Sequence, residues 1–292
     1  MSTLPLIVDC DDVIDFIKKV ELFGRRKWIY RGHARYSETI DKDWLLKSSL
    51  HRFLNTHRGK AIRKSSWYPR ERSLIARFQG AAHLYISNIP SIKEKISWLA
   101  LMQHYGSHTR LLDFTFSPVI ALYFAIREAS PDTGKYSVHA IHIDSVRDKS
   151  LNIRKTLPTY DGKSPELNPA IDEYNIGYRP HSVDFLGIYD GRLLNQRQEA
   201  QEGVFLVPNK IDLDIEGWLR DCKPKGYIRP HRVPWVEFVF RNSEDQYYKS
   251  INQLLNIGMT PKRLFPGLEG LSESMKYLWL EVAKEFEPSG AP

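Results

Sequence analysis

Apolar residues fall at three- and four-residue spacing over 9–23, where Val13, Phe16, Ile17 and Val20 form one stripe and Asp11 or Asp12 can cap it, predicting a first helix. After a basic knot, GRRK at 24–27, the pattern changes to Trp28-Ile29-Tyr30, strand formers broken by Gly32, so a short strand is expected to end near Arg31. Helical spacing returns over 46–88 in SSLHRFL and ERSLIARFQGAAHLYI. Between those stretches, residues 56–70 hold five Lys or Arg and no acid and read as a solvated loop or a nucleic-acid contact. A helix is predicted over 94–106, closed by Gly106, and a buried strand over Arg110–Thr115. Ser117 as cap and Pro118 at the first helical position open a helix through VIALYFAI. Strand patterns follow at 136–143, 203–208 and 235–240, and helices at 244–257 and 270–286. The stretch 145–182, with four prolines, reads as a long loop or lid. Without a repeat or a clear linker, the chain is expected to be one α+β domain over 1–292, with a core at 28–271 and a helical insertion at 46–100.

Composition narrows the class. Hydrophobic residues are 42% of the 292 and aromatics 12%, enough to build a core and too many for a disordered chain. Lys and Arg outnumber Asp and Glu by 42 to 35, and the pI is about 9.2, which fits an anionic partner and equally an ordinary basic surface. Cys10 and Cys222 allow one bridge at most; free buried thiols suit a reducing compartment, so the expected location is the cytoplasm. Acidic residues interrupt the N-terminal apolar run, so no secretory leader is expected, and no run of about 18 apolar residues predicts a membrane span. Motifs of the HExxH, CxxC, GxSxG and GxxxxGK[ST] types are absent. His139 and His142 fall on opposite faces of a predicted strand, and no metal is expected.

Four blocks carry a resemblance. WIYRG (28–32) is similar to the aromatic-Arg-Gly signature of the FRG domain. LALMQHYGSHTRLLDFTFSPVIALYFA (99–125), RQEAQEGVFLVP (197–208) and IGMTPKRLFPGLEGL (257–271) resemble that family's later segments. The order of Arg31, then Thr115 and Ser117 before a helix, then Gln201 and Glu202 before a strand, more loosely resembles toxin-type ADP-ribosyltransferases. That likeness implies a mixed and antiparallel β core split around a cleft and flanked by helices.

It also implies an activity: transfer of ADP-ribose from NAD to a macromolecule, RNA or DNA slightly ahead of protein. An Arg fork binds pyrophosphate, which is Arg31's expected role with Gly32 beside it. Thr115, Ser117 and Tyr123 would line the nicotinamide pocket. Glu202 or Glu199 would stabilise the oxocarbenium-like ribose, with Gln201 holding ribose or acceptor. His104 is either a helix C-terminal cap or a general base. The toxin-like context implies a neutralising antitoxin protein. Each assignment has a structural alternative: Arg31 paired with Asp113, a buried Thr109–Arg110–Asp113 network, Tyr123 in the core, and Gln201-Glu202 as a solvated turn. The rival function is a non-catalytic nucleic-acid-binding module.

Overall fold

The strand formers pair as β1 (Leu6–Cys10), β2 (Trp28–His33), β3 (Leu112–Thr115), β4 (Gly134–His142), β5 (Leu186–Tyr189), β6 (Gly203–Pro208) and β7 (Trp235–Asn242). In this computed structural model, which describes residues 5–36, 46–130, 132, 134–156, 183–190, 196–226 and 233–285, they form one mixed sheet in the order β1-β7-β4-β2-β3-β6-β5. β1 runs parallel to β7 and the remaining neighbours are antiparallel. The fold is α+β, as the pattern of elements predicts.

The sheet is nearly divided in two. β2 follows β4 from Trp28↔His142 to His33↔Ser137, and β3 follows β6 from Leu112↔Leu206 to Thr115↔Gly203. Between β2 and β3 the described register is a single pair, Tyr30↔Thr115. Beyond it the strands part, and Arg31 Nη1 reaches across to donate to the Asp113 carbonyl at 2.6 Å. A side chain thus supplies a hydrogen bond where the ladder stops.

Alternation along β2 sends Trp28, Tyr30 and Gly32 to one face and Ile29, Arg31 and His33 to the other. The first face packs under α1 (Val13–Val20), α6 (Pro118–Glu128) and α10 (Glu244–Asn256). Gly32 is required there. A Cβ at Gly32 would lie 2.1 Å from the Ala121 carbonyl oxygen and 2.7 Å from the Ala125 nitrogen, so only glycine lets β2 pass beneath α6. The other face packs against α7 (Ile143–Arg154) and α9 (Ile215–Arg220). The insertion holds α2 (Ser49–Asn55), α3 (His57–Lys60) and α4 (Trp67–Ala82), followed by α5 (Lys95–His104). α4 and α5 cover Phe205 and Val207 of β6. The remaining helices are α8 (Gln196–Ala200), α11 (Pro261–Leu264) and α12 (Leu268–Glu285).

Three expectations need correction. The helix predicted over 9–23 starts at Val13, capped by Asp12, because Leu6–Cys10 pair with β7 instead. The basic segment 56–70 is not a loop: α3, a 3-10 turn at Lys64–Ser66 and the start of α4 occupy it. Helix α7 fills the start of the stretch expected to be irregular, and residues 157–182 of that stretch lie outside the described residues. Among the described residues no helix is long and apolar enough to cross a membrane.

Candidate active site

The parting of β2 from β3 opens a cavity of about 320 Å³. Arg31, Gly32, Thr115, Gln201 and His104 all line it, so five of the residues singled out in the sequence converge on one place. Thr115 is held firmly. Its Oγ1 donates to the Gln201 carbonyl at 2.7 Å and accepts from Ser117 N at 3.0 Å, tying the end of β3 to the turn that follows α8. Gln201 Nε2 donates to the Leu264 carbonyl at 3.1 Å, so this glutamine also joins the turn to the Leu-Phe-Pro segment.

Ser117, Tyr123, Glu199 and Glu202 do not line the cavity. Ser117 Oγ accepts from Ile120 N at 3.3 Å and caps α6. Tyr123 is buried in the core and lines a smaller cavity together with Ile251, Leu254 and Met259. Glu202 adopts a left-handed backbone, φ 45°, and stands exposed, because the chain reverses there to let the Glu202 carbonyl accept from Phe116 N at 3.0 Å.

The carboxylates that do line the cavity are Asp113 and Glu128. Asp113 is oriented: Gln103 Nε2 donates to its Oδ2 at 2.7 Å, and buried Thr109 fixes Gln103 by bonding its side-chain oxygen. Sequence reasoning placed Asp113 and Thr109 in a scaffold network. The structure links Thr109 to Asp113 through Gln103, but Asp113 is exposed at the cavity and not buried as expected. Arg110 departs from it: fully buried, it pairs with Glu71 of α4.

Two further arginines were missed. Arg127 and Arg197 both stack on one ring, each guanidinium 4.6 Å from the Phe265 centroid. Glu273 and Glu269 of α12 hold them, Arg127 by a two-point bond at 2.5 and 2.8 Å and Arg197 at 3.6 Å. Their signal in the sequence was the Leu-Phe-Pro turn, whose Phe265 makes the platform. Three guanidinium groups therefore face one cavity, an arrangement suited to phosphate oxygens.

Behind Arg31 runs a polar string. Arg31 Nε lies 3.3 Å from His33 Nε2, His33 Nδ1 lies 3.3 Å from His139 Nε2, and His139 Nε2 lies 3.4 Å from Glu237 Oε1. Burial lowers the pKa of both histidines, that of His33 strongly, and the neighbouring cation of Arg31 adds to it, so both rings are neutral at pH 7. His104 is exposed; partial burial of the ring, then Arg197, lowers its pKa.

A second lobe of about 220 Å³ adjoins the first and shares Arg31, Gln103 and Asp113 with it. Its outer wall comes from the start of the insertion, Lys47 to Ser49 and Arg52, and from the turn Gly106–His108.

No curated protein and no solved structure matches the chain. The family model of the FRG domain matches residues 26–134, a span that supplies β2, the insertion, α5, β3 and α6 and with them Arg31, Gln103, Asp113 and Thr115 of the cavity; the chain carries an FRG domain.

Proposed function

We propose that this cleft binds NAD and transfers its ADP-ribose to a macromolecular acceptor, nucleic acid ahead of protein. The observation that carries the reading is the convergence of Arg31, Arg127 and Arg197 with Thr115, Gln201 and an oriented carboxylate on a single cavity. Small-molecule sites occupy roughly 300–1,000 Å³, and the cavity with its second lobe falls in that range.

In this reading Arg31 and Arg197 take the pyrophosphate with the guanidinium N–H groups that His33, Asp113 and Glu269 leave over, while Arg127, whose fork Glu273 holds at two points, stands as part of the wall. Breaking the bond between ribose and nicotinamide builds positive charge on the ribose, and a fixed carboxylate beside it stabilises that charge. Asp113 replaces Glu202 in this role, because Asp113 lines the cavity and is held by Gln103. Nicotinamide leaves with the bonding electrons, the acceptor's nucleophilic atom forms the new bond to the ribose carbon, and the proton that atom carried is released to water.

The test is nicotinamide release and transfer of labelled ADP-ribose to total RNA and total protein, with melting curves taken in NAD. NAD should raise the melting temperature, since it binds the native state alone. Asp113→Asn should retain that shift and lose turnover by on the order of 10²–10³, the worth of one electrostatic contact made mainly in the transition state. Glu202→Gln should remain active. A wild-type protein that neither responds to NAD nor releases nicotinamide would sink the reading.

A second reading, a nucleic-acid-binding module without catalysis, is favoured by one observation. Residues 46–94 hold ten Lys and Arg against two acids, while the rest of the chain holds 32 against 33. A module of that kind would respond to RNA and ignore NAD.

A further inference from the structure

The chain's positive surplus sits on one segment, and that segment forms a wall of the second lobe. Of the ten basic residues in 46–94, Arg52, Arg58, Lys60, Arg63, Arg70 and Arg77 are all exposed, whereas Glu71, one of the two acids, is buried against Arg110. The exposed charges of the insertion are therefore almost wholly positive. Its first turn enters the lobe: Arg52 Nη1 donates to the Lys47 carbonyl at 2.6 Å, which sets the Arg52 guanidinium at the lobe's edge. Arg31 faces the lobe from the other side, and Asp113 is the acid that lines it.

Shape adds to charge. His108 stacks on Phe53 with centroids 5.0 Å apart and planes 20° apart, and Tyr105, at the same turn, is 60% exposed. Flat rings beside a cationic groove are the equipment of proteins that hold single strands, in which phosphates meet cations and bases meet ring faces. Arg52 is also close enough to Arg31 and His33 to lower the pKa of each, so like charges converge here. An anion at Arg52 relieves that repulsion.

We propose that the second lobe seats a backbone phosphate of a single-stranded nucleic acid at Arg52, on the outer wall across from the Arg31 that serves the dinucleotide, with α2–α4 as the surface along which the strand approaches the cavity. The phosphate seat stands on the geometry of the lobe; that the strand is an acceptor for ADP-ribose rests on the proposed function.

Fluorescence anisotropy of a short, labelled, mixed-sequence single-stranded RNA tests the seat, with ADP-ribose as competitor and nicotinamide release measured on the same samples. Arg52→Gln is expected to weaken RNA binding on the order of tenfold, the worth of one charge-assisted contact. It should also make the log-log salt slope shallower by about 0.7, the increment for one phosphate of a single strand. Arg52→Lys should restore the slope, because it restores the charge. Arg52 is exposed, so its replacement leaves the core intact, and circular dichroism checks this. ADP-ribose should leave RNA bound. Unchanged RNA affinity in Arg52→Gln would overturn the proposal. So would displacement of RNA by ADP-ribose with Arg52→Gln weakening both, since the lobe would then belong to the dinucleotide. Failure of the wild-type protein to release nicotinamide would remove the transferase reading and leave the RNA result standing.

Discussion

Three consecutive residues of the aromatic-Arg-Gly motif do three different things. Tyr30 is buried under α6, Arg31 bridges the gap to β3, and Gly32 lets the helix backbone pass. The motif is thus a packing device and a ligand device at once, and the two can be separated. Gly32→Ala should lower stability by about 1–3 kcal/mol, the usual range for overpacking, because the added methyl meets the backbone of α6 and not a side chain that could swing away. The companion change Ala125→Gly removes a Cβ 3.0 Å from the new methyl but leaves the Ala121 carbonyl oxygen at 2.1 Å, so it should not restore stability. Urea unfolding of the single and double variants measures both. Full rescue by Ala125→Gly would mean that the constraint lies in side-chain packing. Glu202 looked catalytic from its place before β6, yet one left-handed residue turns it away from the cavity, and no feature of residue type alone announces that turn.

Among elements, those marked by local chemistry were legible. Asp12 and Ser117 cap their helices as the sequence predicts, accepting from Asp15 N at 2.9 Å and Ile120 N at 3.3 Å, and Gly106 ends its segment with φ 87°. Elements defined by distant partners were not. Helix α7 buries Ser145, Ser150 and Arg154 beside Ile143 and Val146, so its inner face lacks the apolar stripe that marks a helix. β1 and β5 are short edge strands with one pairing neighbour each, and nothing in their few residues specifies that neighbour. The site divides the same way: Arg31 and Thr115 were legible in local motifs, whereas Arg127 and Arg197 meet through Phe265, far along the chain. A buried ion pair is among the long-range bonds that fasten the basic insertion to the rest of the fold. Arg110, wholly buried, donates from Nε to Glu71 Oε1 of α4 at 2.8 Å and from Nη1 to the Asn209 carbonyl at 2.9 Å. Glu71→Ala leaves that guanidinium buried without its carboxylate, which should cost about 3–5 kcal/mol in urea unfolding. Adding Arg110→Met should recover part of the loss, since an apolar pair avoids the desolvation that the charged pair suffers. A loss below about 1 kcal/mol in Glu71→Ala would show that the insertion stays docked through its other contacts, without this pair.

For the molecule as a whole, buried histidines set the response to acid. Burial lowers the pKa of His33, His139 and His142 below the usual 6.5, so the folded protein keeps these rings neutral where the unfolded chain protonates them. The sign follows from linkage. Below about pH 6.5 the unfolded state binds more protons than the folded state, so stability rises with pH through that window and is complete above about pH 7.5. Each such ring contributes up to about 1.4 kcal/mol per pH unit until the pH falls through its own folded-state value. Asp12, whose pKa Lys249 and the Asp15 amide lower to about 2, adds its loss only below the ordinary carboxylate range, so the two effects separate on the pH axis. His142 is the ring that can be removed with least disturbance. It is 5% exposed, faces Trp28, Asp144 and Lys27, and caps α7 by accepting from Ser145 N at 3.4 Å. Asparagine is a good cap and does not titrate, so His142→Asn should keep α7 while removing one proton from the balance. Urea unfolding at pH 5.5, 6.5 and 7.5 should show wild-type stability falling with acid. His142→Asn should match it more closely at pH 5.5 than at pH 7.5, with a slope shallower by up to about 1.4 kcal/mol per unit between 5.5 and 6.5. Parallel slopes for the two proteins would show that His142 takes its proton as readily folded as unfolded, and the acid sensitivity would then belong to the His33–His139 pair behind Arg31.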